Sequence, residues 1–428
     1  MRFDARQSEM SNPPVRSPRI AFQVYRPSDW AAGATTTQDL LIALRALGQD
    51  CPEITLWRWN GLSDQDMEPL AALADQIVSA RYPAPLQTPN VVMPTRRNSL
   101  KKISALLRPS RKTDNTTGQD ARLLRNSGMD CSFSMPFENR ADFSAPLLVL
   151  IFDLQHRQLP ELFSPKERAQ RDNTLQREAE GAMLLITMSQ SVRDDLAGFT
   201  PQHSHKIRVL PWVSNIPSSV YAIDPNAVVS KYHLPERFFY LPNQFWAHKN
   251  HLVVLEALRE LAQRGIRPNV VCSGSLVEPR TNQHLGQLMQ KLSLWNLREQ
   301  FIILGLAPRT DVFALMRQAL CVLNPSKFEG FGLSAAEAIS LGKRLLVSNL
   351  AALREQASAA ATYFDPNNSH ELAAQMEILW KTVAPGPDLL LEAQARAALP
   401  TRQKDFARAF VKLAREAIQL DAAKKSAR

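Results

Sequence analysis

Two carboxylates, Glu329 and Glu337, flank a glycine turn in the stretch NPSKFEGFGLSAAEAISLG, residues 324–342. The apolar LCVLN before it reads as a buried strand. Gly330, Phe331 and Gly332 supply a flexible turn. Ser334 is placed to cap a helix, with Glu337 three residues on, and Gly342 is placed to close that helix. RLLVSN then resumes an extended run. Strand, glycine turn, helix and strand are the repeating unit of a parallel α/β sheet. Such sheets bind ligands at the carboxyl ends of their strands, and the N–H groups opening the next helix favour an anion there. A Glu beside an anion is repelled unless it faces something neutral and rich in hydroxyls, as a sugar or a ribose is. The alternative is a capping box at Glu337 and a surface acid at Glu329.

Other groups have chemical character. Lys249 stands before the apolar periodicity of Leu252, Leu255, Leu258 and Leu261, so it lies near a helix N-terminus, where it adds to the positive end of the dipole. PLLVLIFD, residues 146–153, is an apolar strand running into Asp153-Leu154-Gln155-His156. A neutral imidazole at such a strand end can accept a hydroxyl proton or hydrogen-bond a sugar; a structural His is the other reading. Asp64-Gln65-Asp66 has the D-x-D spacing of a metal-dependent transferase. It sits in the polar SDQDMEP with no strand immediately before it, so a solvated loop is expected. His248 and His251 flank Lys249 without a Cys or carboxylate companion, so no zinc site is expected.

The full 324–342 string resembles the donor-binding signature of the family-4 retaining glycosyltransferases of bacterial type, which have the GT-B fold. The resemblance implies that Glu329 contacts the transferred sugar. Gly330, Phe331, Gly332 and Leu333 then lie against the sugar and diphosphate, and Glu337 holds the nucleotide ribose. NQFWAHKNH, residues 243–251, resembles a second donor-side motif of the family. It implies that Lys249 contacts the diphosphate and that Asn243 stands near the place of the family's usual arginine. Gly274, after NVVCS, and Gly305, after FIIL, fall at donor-side turns, the latter where the family holds the base through backbone groups. The segment at 153–172 is similar to one recurring in bacterial members and puts Asp153 and His156 on the acceptor side. Phe152 stands where many members have His. Gly33, in the first loop, either permits approach to the phosphates or acceptor or makes a plain turn.

The resemblance implies an α/β GT-B architecture of two Rossmann-like domains. Expected are a loose tail at 1–17, an acceptor domain at 18–220 with an insertion at about 83–139, a donor domain at 221–400, and a crossing helix with a tail at 401–428. It further implies a metal-independent hexosyltransferase without a cofactor, moving sugar from a nucleotide sugar to a glycan or lipid-linked acceptor. Bacterial surface polysaccharide or lipopolysaccharide synthesis is the family's common setting. A sugar-nucleotide epimerase of the same fold, or a noncatalytic member of a glycan assembly complex, are the alternatives.

At 428 residues with 45% hydrophobic content, the chain can bury more than one core. It has no apolar run of about 18 residues, so no transmembrane helix is expected. Its N-terminus lacks the apolar region of a secretory signal. Four scattered cysteines suggest reduced thiols and a cytoplasmic location. The net charge of +10 is concentrated. Residues 96–125 hold nine Lys or Arg against Asp114 and Asp120. No nucleic-acid motif accompanies them. With Leu100, Ile103 and Leu107 on one side of a helix, the pattern suits an anionic membrane surface; a solvated basic loop is the other reading. AALADQIVSA, residues 71–80, is read as a helix.

Overall fold

The protein is described by a computed structural model at residues 16–26, 30–59, 62–80, 128–136, 145–278, 280, 283–356 and 359–427. The tail up to residue 15 and the basic stretch 96–125 lie outside the described residues.

Two parallel sheets organise the chain. The first contains β1 (Arg19–Gln23), β2 (Glu53–Trp59), β3 (Gln76–Ala80), β4 (Cys131–Ser134), β5 (Leu147–Ile151), β6 (Leu184–Thr187) and β7 (Ile207–Val209), in the order β3-β2-β1-β4-β5-β6-β7. The second contains β8 (Phe239–Leu241), β9 (Val270–Cys272), β10 (Phe301–Ile303), β11 (Val322–Asn324), β12 (Leu345–Ser348) and β13 (Ala361–Phe364), in the order β10-β9-β8-β11-β12-β13. Every residue of β5, LLVLI, is buried, as suits a central parallel strand covered on both faces. The order reverses between β1 and β4 and again between β8 and β11. At such a reversal the connections leave in opposite directions and open a crevice at the carboxyl ends, which is where a ligand fits.

Three local expectations fail. Residues 71–80 are not helical: Ile77 and Val78 are β-branched and pair in parallel with Leu56 and Trp57 on β2. The helix of this region comes earlier, at Asp64–Ala71, where Ser63 and Asp66 form a reciprocal capping box. Asp64-Gln65-Asp66 is therefore the first turn of that helix, not a loop, with Asp64 paired to Arg58. The expected insertion at 83–139 contains β4, which lies between β1 and β5; its neighbours 81–127 are outside the described residues.

The helices that matter for the site are α1 (Ala31–Arg45), α2 (Asp64–Ala71), α3 (Gln155–Gln158), α4 (Pro165–Gly181), α5 (Gln190–Phe199), α6 (Pro225–Lys231), α7 (His251–Gln263), α8 (Gln283–Leu294), α9 (Arg309–Gln318), α10 (Leu333–Leu341), α11 (Ala351–Glu355), α12 (Ser369–Thr382) and α13 (Leu389–Ser426). The C-terminal helix begins earlier than residue 401 and stays helical through the AAKK of its end. Its first turns pack on the second domain: a Cβ on Gly342 would sit 2.4 Å from Leu391 O, and Glu392 holds Arg317 at 2.8 Å. Its later turns cover the first domain. Phe410 is fully buried, with ring centroids 5.9 Å from Phe22 and 5.3 Å from Phe133, and Phe406 meets Trp212 at 4.8 Å. Burying one such ring contributes roughly 1.5–3 kcal/mol, so this one helix fastens both domains.

Candidate functional site

The glycine turn between β11 and α10 is built by backbone freedom. Gly332 has φ 90° and is itself the N-cap of α10, so the expected cap at Ser334 is wrong. A side chain at Gly332 would be strained, and its Cβ would meet Leu353 Cδ2 at 2.5 Å. Gly342, with φ 80°, closes the helix as expected. Leu333 opens α10, and Phe331 is buried against the core. Ser334, released from capping, joins a buried polar chain. Asn324 Nδ2 donates to Glu329 Oε1 and to Ser334 Oγ, both at 3.2 Å, and Ser334 Oγ donates to Asn243 Oδ1 at 3.2 Å.

Glu329 is at the end of that chain. Its Oε1 also accepts from Ser326 Oγ at 2.6 Å and from Lys249 Nζ at 2.7 Å. The two charged side chains are 8% and 17% exposed, so water screens the pair little. Lys249 is set by a single 3-10 turn, Ala247–Lys249, and by Asn250, whose φ of 57° lets α7 start at once. Asn250 tolerates this because its amide donates to Pro325 O and Pro366 O at 3.0 and 2.8 Å. His248 and His251 are buried, and His251 stacks on Phe245 at 4.3 Å; burial pushes the His251 pKa down to about 3.

Glu337 is not in a capping box. It accepts from Arg309 Nη2 at 3.0 Å. Burial raises its pKa and Arg309 opposes the rise. Asn243 and Gly274 are in tight contact: a Cβ on Gly274 would sit 2.5 Å from Asn243 O. Gly274 N donates to Gly305 O at 2.8 Å, and Gly305 has φ 73°. The donor-side residues expected from sequence thus converge on the carboxyl ends of β8, β9, β10 and β11.

The first domain closes over this edge. A Cβ on Gly330 would lie 2.1 Å from Phe152 O and 2.9 Å from Asp153 Cβ, so only glycine permits this approach. Ser189 caps α5 and also donates from Oγ to Gly330 O at 2.6 Å. Beside that cap, the N-terminus of α5 also holds a second-domain carboxylate, Ser191 N donating to Glu355 Oε1 at 2.8 Å. Arg280, only 9% exposed, crosses in the other direction to Gln155 Oε1 at 2.9 Å and lies over the rings of Phe163 and Trp246.

These contacts frame a cleft pocket of about 520 Å³, lined among others by Trp30, Phe152, Asp153, His156, Trp246 and Arg280. Asp153 Oδ1 accepts from Gln155 N at 2.9 Å and shapes the turn into α3. His156, on α3, is 2% exposed and its Nε2 is 2.9 Å from Asp172 Oδ1. Burial raises the Asp172 pKa, but Arg157, in a two-point pair with it, and His156 outweigh this and hold it low. Asp172 is therefore a carboxylate, and Nε2 must donate to it. Burial also depresses the His156 pKa against the pull of Asp172, so the ring is neutral and its buried Nδ1, without a partner among the described residues, is an acceptor. Phe152 meets the Trp30 ring at a 60° tilt, with centroids 4.8 Å apart. Gly33 lies inside α1, not in a loop; its missing Cβ makes room for the Trp30 ring, which would otherwise be 2.4 Å away. It shapes the pocket through Trp30.

Sequence reasoning missed Asn324, Ser326 and Ser334 as a network, and Asp172, Trp30, Arg280, Arg309 and Asp39 altogether. Two had a signal. Arg309 is a cation at the start of a helix, against the dipole. Asp39 is an acid within the apolar run of α1. Arg280 and Asp172 had none, since their partners come from remote chain segments.

Comparison with known proteins bears on this geometry. Residues 229–382 match the glycosyl transferases group 1 family. The serotype-specific mannosyltransferase WbdA of Escherichia coli is 28% identical over 209 residues, covering 47% of this chain and 25% of the relative. The O-antigen chain mannosyltransferase B of Escherichia coli is 34% identical over 102 residues, covering 21% of this chain and 27% of the relative. Each match thus spans about a quarter of the curated relative's length. A glycosyltransferase structure from Rickettsia africae ESF-5 superimposes with a TM-score of 0.63 at 15% identity, covering 94% of this chain and 99% of that one. The chain has the two-domain GT-B fold, and the stretch that matches the glycosyl transferases group 1 model, residues 229–382, lies in its second domain.

Proposed function

We propose that the protein is a retaining glycosyltransferase that moves a hexose, mannose by analogy with its relatives, from a nucleotide sugar to a glycan or lipid-linked acceptor in O-antigen or lipopolysaccharide-type synthesis. The observation that carries this reading is the buried Lys249–Glu329 pair at 2.7 Å, set beside the open N-terminus of α10. A donor diphosphate competes with Glu329 for the Lys249 ammonium. The helix N–H groups and Lys249 then stabilise the charge that develops as the diphosphate leaves. Glu329, released from Lys249, accepts hydrogen bonds from the sugar hydroxyls, and Glu337 accepts them from ribose. Lys249 and the helix dipole meet the charge requirement without a metal, and no cofactor is needed for the transfer.

The pocket under Trp30, Phe152 and Trp246 suits the acceptor, because aromatic faces cover the apolar faces of sugar rings. His156 Nδ1 accepts a hydrogen bond from an acceptor hydroxyl. In the front-face course, the acceptor oxygen bonds to the anomeric carbon as its bond to the diphosphate breaks, and the acceptor proton passes to a diphosphate oxygen. Phe152 cannot exchange a proton, and we assign that role to His156.

No helix among the described residues is long and apolar enough to cross a membrane. For the basic stretch 96–125 we propose a reversible contact with anionic lipid at the inner membrane face, each basic residue contributing about 1 kcal/mol. Flotation on anionic and neutral liposomes tests it: salt-sensitive flotation on anionic vesicles supports it, and indifference at low salt rejects it. The transfer itself is tested by proton NMR of the product formed from an α-linked sugar nucleotide. An α-linkage supports retention; a β-linkage overturns it.

A further inference from the structure

Arg309 lies where two domains meet. Its Nη2 is 3.0 Å from Glu337 Oε1, on the second domain, and 3.7 Å from Asp39 Oδ1, on α1 of the first. Asp39 is 1% exposed, and its Oδ1 already accepts from Asn215 N at 3.2 Å. The 3.7 Å separation is too long for a hydrogen bond. Both facing groups carry an unsatisfied atom: Asp39 Oδ2 and Arg309 Nε are buried with no hydrogen-bond partner among the described residues. Helix stability does not account for Arg309 either. A cation opening a helix opposes its dipole, and the acid that suits the first turn of α9, Asp311, is held by Lys231 at 2.6 Å.

We propose that Arg309 and Asp39 are positioning residues. Arg309 holds Glu337 in the setting that accepts ribose, and Asp39 passes the state of that pair to the first domain. The inference rests on the reading of Glu337 as the ribose acceptor. Ribose hydroxyls that donate to Glu337 draw its charge off Nη2. The guanidinium then turns its charge to Asp39, and a small approach of the two domains shortens this 3.7 Å ion pair to a hydrogen bond. Occupancy of the nucleotide site in one domain thereby favours closure of the other over it.

The test uses UDP and GDP as probes, with their 2′,3′-dideoxy forms, and calorimetry on the full chain. The wild type should bind the ribose form of whichever nucleotide it accepts about tenfold more tightly than the dideoxy form, as for one lost hydrogen bond to a charged group. Arg309→Gln should lose most of that ratio, and Arg309→Lys should recover part of it. Small-angle scattering should show the wild type contracting on nucleotide and Asp39→Asn failing to contract while it still discriminates ribose. Thermal melting of each variant separates these effects from misfolding; if Arg309→Gln does not fold, Arg309→Lys carries the same comparison. A wild type that does not distinguish the two nucleotide forms overturns the ribose reading, and the positioning roles with it. A wild type that discriminates, together with folded Arg309 variants that discriminate equally, overturns the role of Arg309 alone. Contraction of Asp39→Asn equal to the wild type, or no contraction in either, overturns the role of Asp39.

Discussion

Ser189 Oγ donates to Gly330 O at 2.6 Å while it accepts from Val192 N at 3.2 Å. One hydroxyl thus caps a helix of the first domain and fastens the glycine turn of the second. Ser189→Ala should remove both bonds. Loss of the cap costs about 1 kcal/mol, and the interdomain bond adds about 0.5–1.5 kcal/mol. Denaturant unfolding measures the sum, and turnover should fall with it because Gly330 adjoins Glu329. A variant as stable as the wild type would show that the bond contributes nothing.

Gly330→Ala should be more damaging to activity than to either domain. Its methyl group would lie 2.1 Å from a carbonyl oxygen, Phe152 O, which cannot rotate away as a side-chain tip can. The domains must separate, so turnover should fall at least tenfold, about 1.4 kcal/mol in barrier, while each domain keeps its own fold. Steady-state kinetics with nucleotide calorimetry distinguishes this from global unfolding. Unchanged turnover would mean that the close approach is not needed.

The Lys249–Glu329 pair should separate stability from function. Lys249→Ala leaves Glu329 with an uncompensated charge in a site 8% exposed, and breaking one side of a buried pair costs about 3–5 kcal/mol. Adding Glu329→Gln should restore part of the stability. Turnover should remain down more than tenfold in both single variants and in the double variant. If the double variant regained turnover with stability, the pair would be structural.

Asp39 should make stability depend on pH. Burial, the largest influence, raises its pKa to about 7; Arg309 opposes the rise and Glu337 adds to it. Between about pH 4 and 7 the folded state therefore holds a proton that the unfolded chain has released, so this group's contribution to stability falls as pH rises. Above about 7 the loss is complete. Asp39→Asn removes the effect, so its stability relative to the wild type should rise across that interval. Chemical denaturation at pH 5 and pH 8 tests the sign. A relative stability that falls or stays flat would contradict the burial argument.

Much of the fold was legible because parallel α/β units write themselves locally. The glycine turn, Gly342 as a helix stop, and β2 and β5 all follow from short-range pattern. β3 was misread because residues 71–80 mix alanines with only two β-branched residues, and pairing with β2 decided their state. β4 was hidden because CSFS is short and lies beside a basic, proline-rich stretch. At the site, Glu329, Lys249 and His156 were legible from motif strings. Their supports were not: Asp172 reaches His156 from α4, Arg280 reaches Gln155 from the other domain, and Ser334 changed its role once Gly332 took the cap. Such pairings depend on tertiary approach, which spacing along the chain does not encode.

We propose that the 243–337 edge of the second domain binds a nucleotide sugar and that Lys249 and Glu329 act on it. The most direct measurement is release of nucleoside diphosphate by the full chain incubated with UDP- and GDP-sugars, with and without a glycan acceptor. Release should occur with a particular donor, rise when acceptor is present, and fall more than tenfold in Glu329→Gln. Acceptor-dependent release that is as fast in Glu329→Gln and Lys249→Ala as in the wild type would overturn the roles of both residues.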